Sequence, residues 1–247
     1  MGAQFVERMG IQSWCFRGYK THQEVIQALR ACDVSRLELS HAHYKPWEAD
    51  DHRPIVDLYA EAGITISSFG AYSVGADEAR ARKVFDLAEA AGFDTIGVML
   101  AEGGIQTAEK LCREYGKRVA LHNHGRLDPY GPPWAIEKVL AETSASFGLC
   151  LDTAWMIDSR FDPVEIADKH ADRLYGVHVK DFIFDRTGKP SDVVVGEGNL
   201  DLPEFLRVLE RNGFDGFFTL EYEGDVDDPI PATRKCVEAV RRAAAEL

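Results

Sequence analysis

Four stretches place reactive side chains directly after short apolar runs: His122-Asn123-His124, Leu151-Asp152-Thr153, His178-Val179-Lys180-Asp181 and Glu221-Tyr222-Glu223. In an extended strand, residues two apart share a face. His122 and His124 therefore point one way, as do His178 with Lys180 and Glu221 with Glu223. One member of each pair can sit deep and the other nearer a mouth. Asn123 and Asp181 have the opposite parity, which suits a turn or supporting residue and a structural carboxylate. If the four strand ends meet, His122, Asp152, His178 and Glu221 converge as two imidazoles and two carboxylates. That mixed nitrogen and oxygen set suits Mn²⁺, Co²⁺, Zn²⁺ or Fe²⁺ better than Ca²⁺, which prefers oxygens alone; Mg²⁺ ranks below the first four.

For these ends to meet, the chain must supply parallel strands side by side. Apolar runs at Met9–Ser13, Arg36–Leu39, Ile64–Phe69, Thr95–Leu100, Arg118–His122, Phe147–Leu151, Leu174–Val179 and Gly216–Tyr222 read as strands. Amphipathic segments at His22–Ala31, Arg53–Ala62, Asp77–Ala91, Thr107–Tyr115, Trp134–Glu142, Pro163–Lys169, Leu202–Arg211 and Ile230–Ala245 read as helices. Thr21 with Glu24 forms a capping-box pattern ahead of the first of them. Strand and helix alternate without a hairpin signal, at roughly 31 residues per unit, near the usual size of a (β/α)8 barrel. Residues 1–247 therefore read as a single α/β domain, a (β/α)8 TIM barrel, whose active sites lie at the carboxyl ends of the strands. A doubly wound sheet would want a glycine-rich loop after its first strand, and Ser13-Trp14-Cys15-Phe16-Arg17-Gly18 is not one.

Composition narrows the partners. The 247 residues carry 41 acidic and 28 basic side chains, a net charge of −13. Such a chain repels a phosphate backbone, so nucleic acid is excluded as a partner. No apolar run spans a bilayer, and Met1 to Gly10 lacks a signal core. Val6 stands where an N-myristoylation signal wants Ser or Thr. The five cysteines are widely spaced and form no CxxC, which reads as reduced thiols in a cytoplasmic protein. The fold class allows a homo-oligomer.

With those residues in place, the chain resembles the xylose-isomerase-like TIM-barrel superfamily, also called sugar phosphate isomerases/epimerases. The resemblance rests on the His122–His124 turn, Leu151-Asp152, His178 to Asp181, Gly196-Glu197-Gly198 followed by Leu200 and Leu202, and Leu220-Glu221. Glu38, in Leu37-Glu38-Leu39, matches a common acidic residue after the second strand. The resemblance implies one divalent metal held by Glu, Asp, His and Glu. Carried over, those positions are His122, Asp152, His178 and Glu221, so a His replaces the first Glu. Variants with this His-Asn-His turn resemble inosose dehydratases and enzymes of 3-keto sugars. Many members also carry His where Trp155 stands; an indole cannot ligate, and Trp155 suits an apolar platform for a sugar face.

The implied chemistry is Lewis-acid polarisation of a carbonyl, removal of the adjacent proton and an enediolate. Glu221 is the first candidate base, with His124, Glu223 or Glu38 as a second acid or base. Lys180 either binds an oxyanion or pairs with a carboxylate at the mouth. Trp14, Phe69 and His41 are candidate pocket walls, and Arg126 a candidate contact for an anionic group. No dense cationic cluster appears, which favours an unphosphorylated sugar. The leading expectation is a sugar isomerase or epimerase. The alternative is a dehydratase or β-eliminase acting on an inosose or 3-keto glycoside, and the third is a sugar-binding barrel without catalysis.

Overall fold

The computed structural model describes residues 3–247; the Met1-Gly2 start, read above against acylation, lies outside them. After a short helix α1 (Gln4–Glu7) come β1 (Gly10–Gln12), α2 (His22–Ala31), β2 (Arg36–Leu39), α3 (Arg53–Glu61), β3 (Thr65–Phe69), β4 (Tyr72–Val74), α4 (Glu78–Ala91), β5 (Thr95–Leu100), α5 (Gly104–Tyr115), β6 (Arg118–His122) and α6 (Pro133–Glu142). Then follow β7 (Phe147–Asp152), α7 (Thr153–Asp158), α8 (Pro163–Lys169), β8 (Leu174–Val179), β9 (Phe182–Phe184), β10 (Pro190–Asp192), α9 (Leu202–Arg211), β11 (Phe217–Leu220) and α10 (Ile230–Ala245).

Nine strands form one sheet in the order β3-β2-β1-β11-β8-β7-β6-β5-β4, with every pairing parallel. Its two edge strands are consecutive in the chain, with only Gly70 and Ala71 between them. They are two halves of one barrel strand. The first half pairs with β2 and the second with β5, so the sheet closes on itself and the expected (β/α)8 barrel results.

Local physics explains the elements. Strands of a parallel sheet covered by helices are buried on both faces; β7 is buried at all six positions. Helix α2 starts at the expected capping box: the Glu24 amide donates to Thr21 Oγ1 at 3.2 Å, and the Thr21 amide to Glu24 Oε2 at 2.8 Å. Helix α5 begins at Gly104, three residues before the expected start at Thr107. Several short elements were not foreseen, α1 among them. Helix α7, one and a half turns long, is too short for a periodic signal. The β9–β10 hairpin lies in a span that reads as loop from the sequence. The five cysteines are free and buried, and no helix among the described residues is long and apolar enough to cross a membrane.

Asp181 anchors the loop over the seventh barrel strand. Its buried carboxylate accepts the backbone N–H groups of Phe182, Gly196, Gly198, Asn199 and Leu200, all at 2.8–3.0 Å. This ties the His178–Asp181 motif to the Gly196–Gly198 motif. Asp181→Ala leaves five backbone donors without their acceptor, those of Phe182 and Leu200 buried, and should lower the unfolding free energy by about 2 kcal/mol or more. Urea denaturation checks it, and a loss below about 1 kcal/mol would show the clamp to be dispensable.

Burial lowers the imidazole pKa values of His22, His43 and His52. Their folded-state values lie below the unfolded value of about 6.5, so unfolding takes up protons once the pH falls beneath it. The stability they carry is complete above that pH and is lost as the pH falls toward their folded values. The melting temperature should therefore drop between pH 7 and 5, with a shallower slope in His52→Gln; an unchanged slope would show that His52 does not contribute.

Candidate metal centre

The carboxyl ends of β6, β7, β8 and β11 converge as parity requires. His122, Asp152, His178 and Glu221 each offer one donor atom, and all four atoms lie within 4.8 Å of one another. His122 Nε2 is 3.1 Å from His178 Nδ1 and 3.7 Å from Asp152 Oδ2, and His178 Nδ1 is 3.4 Å from Glu221 Oε2. An ion with ligands at about 2.1 Å in tetrahedral geometry separates neighbouring donors by roughly 3.4 Å. The spacing fits. So does the polar accounting: Asp152 Oδ2 is buried with no hydrogen-bond partner among the described residues. Its other oxygen accepts the Trp155 amide at 2.9 Å and caps α7, which orients the carboxylate. Asn123 bonds both backbone groups of Asp152, at 2.9 and 3.1 Å, and so acts as a support, as its parity suggests.

Protonation states suit the same purpose. Burial pushes His122 down to about 3, with His178 adding to the effect. His124 falls to about 4, from burial and then His122. Both imidazoles are uncharged at neutral pH, the form that ligates. Burial opposes the ionisation of Glu221, but Lys180 and His178 overcome it and hold the carboxyl well below its usual range. Asp152 is raised to about 7 by burial, which outweighs the opposing attraction of Lys180.

Glu38 stands behind this cluster. It is fully buried, and its Oε2 lies 2.9 Å from His178 Nε2, on the far side of the ring from the donor group. Space for it exists because two neighbours lack side chains: a Cβ at Gly70 would lie 2.6 Å from Glu38 Oε1, and one at Gly97 3.3 Å away. Carboxylate–histidine pairs of this kind fix the tautomer and orientation of a metal-ligating imidazole.

Three of the donors, His122, His178 and Glu221, form the floor of a cavity of about 210 Å³, with Asp152 buried beneath it. Trp14, His41, His124, Trp155 and Glu223 line it, together with Gln12, Ser40, Ala71 and Met99, which sequence reasoning missed. Those four follow strand ends but carry no distinctive chemistry, so only closure of the barrel reveals them. The remaining candidates lie elsewhere. Phe69 is buried in the core and does not line the cavity. Arg126 is paired with Asp158 and bonds Gly188 O at 3.0 Å, in a neighbouring groove. Lys180 is 1% exposed and sits among Glu223, Glu221 at 3.6 Å and Asp192 at 3.9 Å. Asp192, from the unforeseen hairpin, also accepts the Glu223 amide at 2.9 Å. The Trp14 indole donates to Glu223 at 3.1 Å.

A family model described as a xylose isomerase-like TIM barrel matches residues 99–243. The chain belongs to that family. Its curated relatives include the rhizopine catabolism protein MocC of Rhizobium meliloti, 28% identical over 141 residues, which is 51% of this chain and 42% of that one. An inosose dehydratase of Clostridium botulinum is 23% identical over 234 residues, 84% of this chain and 76% of the relative. The chain spans about half the length of most curated relatives it matches. A crystal structure of IolI protein with a bound zinc atom superposes with a TM-score of 0.77 at 11% identity, covering 97% of this chain and 98% of that one. At that identity the likeness concerns the fold.

The purified protein should contain about one equivalent of a transition metal by elemental analysis, and His122→Ala and Glu221→Gln should lose it. Glu38→Gln should weaken metal affinity about 10–100-fold through His178. Full metal content in His122→Ala would remove His122 from the donor set.

Proposed function

We propose that this family member is a divalent-metal-dependent enzyme of carbonyl-bearing sugars or cyclitols, and that its reaction is the elimination of a β-hydroxyl or β-alkoxyl group. The observation that carries the reading is that Glu221 faces the cavity without a side-chain hydrogen bond, its ionic neighbours His178 and Lys180 standing 3.4 and 3.6 Å away. Glu221 lines the cavity, whereas Glu38 is sealed behind His178 and Glu223 is tied to Lys180 and Trp14. An isomerase or epimerase working by two facing carboxylates would need a second one free. Elimination needs only one base and a group to assist departure. The inosose dehydratases among the relatives support the same direction. Among the described residues, none lining the cavity is Lys or Arg, which supports an unphosphorylated substrate.

His122, Asp152, His178 and Glu221 would hold the metal, which when bound would supply Lewis-acid polarisation of the carbonyl and stabilise negative charge on its oxygen. Its mixed donor set favours Mn²⁺, Co²⁺, Zn²⁺ or Fe²⁺. Glu221 takes the proton from the carbon next to the carbonyl. The electron pair of that C–H bond forms the new C=C bond, and the β C–O bond breaks. The proton returns from Glu221 to the departing oxygen, which leaves as water or an alcohol. His124, uncharged and in the same wall, hydrogen-bonds that oxygen as it leaves. Trp155 presents a flat apolar face to the ring. Lys180 keeps Glu221 ionised without touching the substrate.

Incubation of keto sugars and inososes with the metal-loaded protein in D₂O, followed by mass spectrometry, tests the reading. Elimination predicts a product lighter by water or an alcohol, with deuterium at the α-carbon confined to recovered substrate. A product that keeps every atom of the substrate apart from one deuterium in place of hydrogen would instead establish isomerisation or epimerisation. His124→Ala should retain α-exchange and metal but slow elimination by about 10²-fold or more.

A further inference from the structure

The cavity over the donor floor does not end at its own walls. His124 and Trp155 also line a second groove of about 490 Å³, bounded by Leu127, Pro190 and the Arg126–Asp158 pair. The two rings pack against each other with centroids 6.0 Å apart, so the same pair of side chains is the common wall of the two spaces. Leu127 is 93% exposed, the most exposed large apolar side chain among the described residues. A solvated leucine at a site entrance is an unspent apolar contact. Of the three charged residues that line the groove, Arg126 takes Asp158 through both its guanidinium and its backbone N–H, the latter at 2.9 Å, and its remaining arm holds Gly188 O; Asp128 accepts the Tyr130 amide at 2.7 Å. What remains for a ligand is mainly apolar surface, with the Asp128 carboxylate at one side.

Volume points the same way. About 210 Å³ is below the roughly 300–1,000 Å³ of pockets that enclose drug-sized molecules, and suits one sugar ring. The adjoining groove brings the combined space into that range.

We propose that the groove bounded by Leu127, Pro190 and Trp155 is a second subsite, which takes an apolar, ring-bearing substituent attached to the sugar held over the metal. The substrate class is then a sugar conjugate, such as an aryl glycoside, rather than a free monosaccharide. This rests on the sugar site proposed above and adds to it what the leaving half of the molecule is. The partition residues place the junction of the two halves beside His124, the residue assigned to the departing oxygen.

The test compares binding of p-nitrophenyl glucopyranosides, both anomers, with their methyl counterparts by titration calorimetry on the metal-loaded protein. At least one p-nitrophenyl anomer is expected to bind about tenfold or more tightly than its methyl counterpart. Leu127→Asp, at a position with no core packing to lose, should abolish that preference and leave methyl glycoside affinity unchanged. Equal affinities in the wild type, absence of p-nitrophenyl glycoside binding, or a preference that survives Leu127→Asp would each overturn the subsite. The readout is independent of turnover. α-Exchange of a free keto sugar with no aryl preference refutes the subsite alone; an aryl preference without α-exchange refutes the proposed chemistry and leaves the subsite standing.

Discussion

Everything at the mouth of this barrel follows from the cost of burying carboxylates. Glu38, Asp152 and Glu221 lie in a space almost closed to water, with Asp192 and Glu223 close by. A buried charge persists only when it is paired and hydrogen-bonded. Lys180 answers for Glu221, Glu223 and Asp192, and His178 answers for Glu38. Asp152 is left with one bonded and one orphaned oxygen beside the uncharged imidazole of His122, while Glu38 favours the protonated form of His178. A divalent cation is the group that would complete this balance, since it would satisfy the orphaned oxygen and the His122 lone pair and take the place of a proton on His178.

That balance depends on backbone close to the side chains. Glu38 reaches His178 because Gly70 and Gly97 leave room for its carboxylate. Gly70 is also where the third barrel strand changes partners from β2 to β5, and its carbonyl accepts the Gln12 amide at 2.9 Å. The point of barrel closure and the support of a metal-ligating imidazole are therefore one piece of structure. On the opposite side, the Asp181 clamp holds the segment that follows the β9–β10 hairpin, and that hairpin delivers Asp192 to Lys180.

Most elements were legible because their signals are local. The capping box at Thr21 and the apolar runs of β6 and β8 lie within a few residues of chain, and their bounds are close to those observed. The donor group was legible because strand parity and barrel topology leave a single way for His122, Asp152, His178 and Glu221 to point. Other residues were misplaced for an equally physical reason. Lys180, Phe69 and Arg126 were expected at the pocket, yet each finds a nearer partner in charge or in core packing. Glu38 was a candidate acid or base, and its position behind His178 depends on two glycines from other strands.

Sequence alone determined the barrel, the inward parity of its strand ends and the chemistry of the donor set, because periodicity and residue type are properties of the chain itself. Tertiary structure decided which carboxylate faces the cavity, which is neutralised and which is hidden. It also set the sugar-sized cavity against its apolar neighbour across a shared wall. Those outcomes turn on distances of a few ångströms between residues up to 140 positions apart in the chain, and no local pattern encodes them.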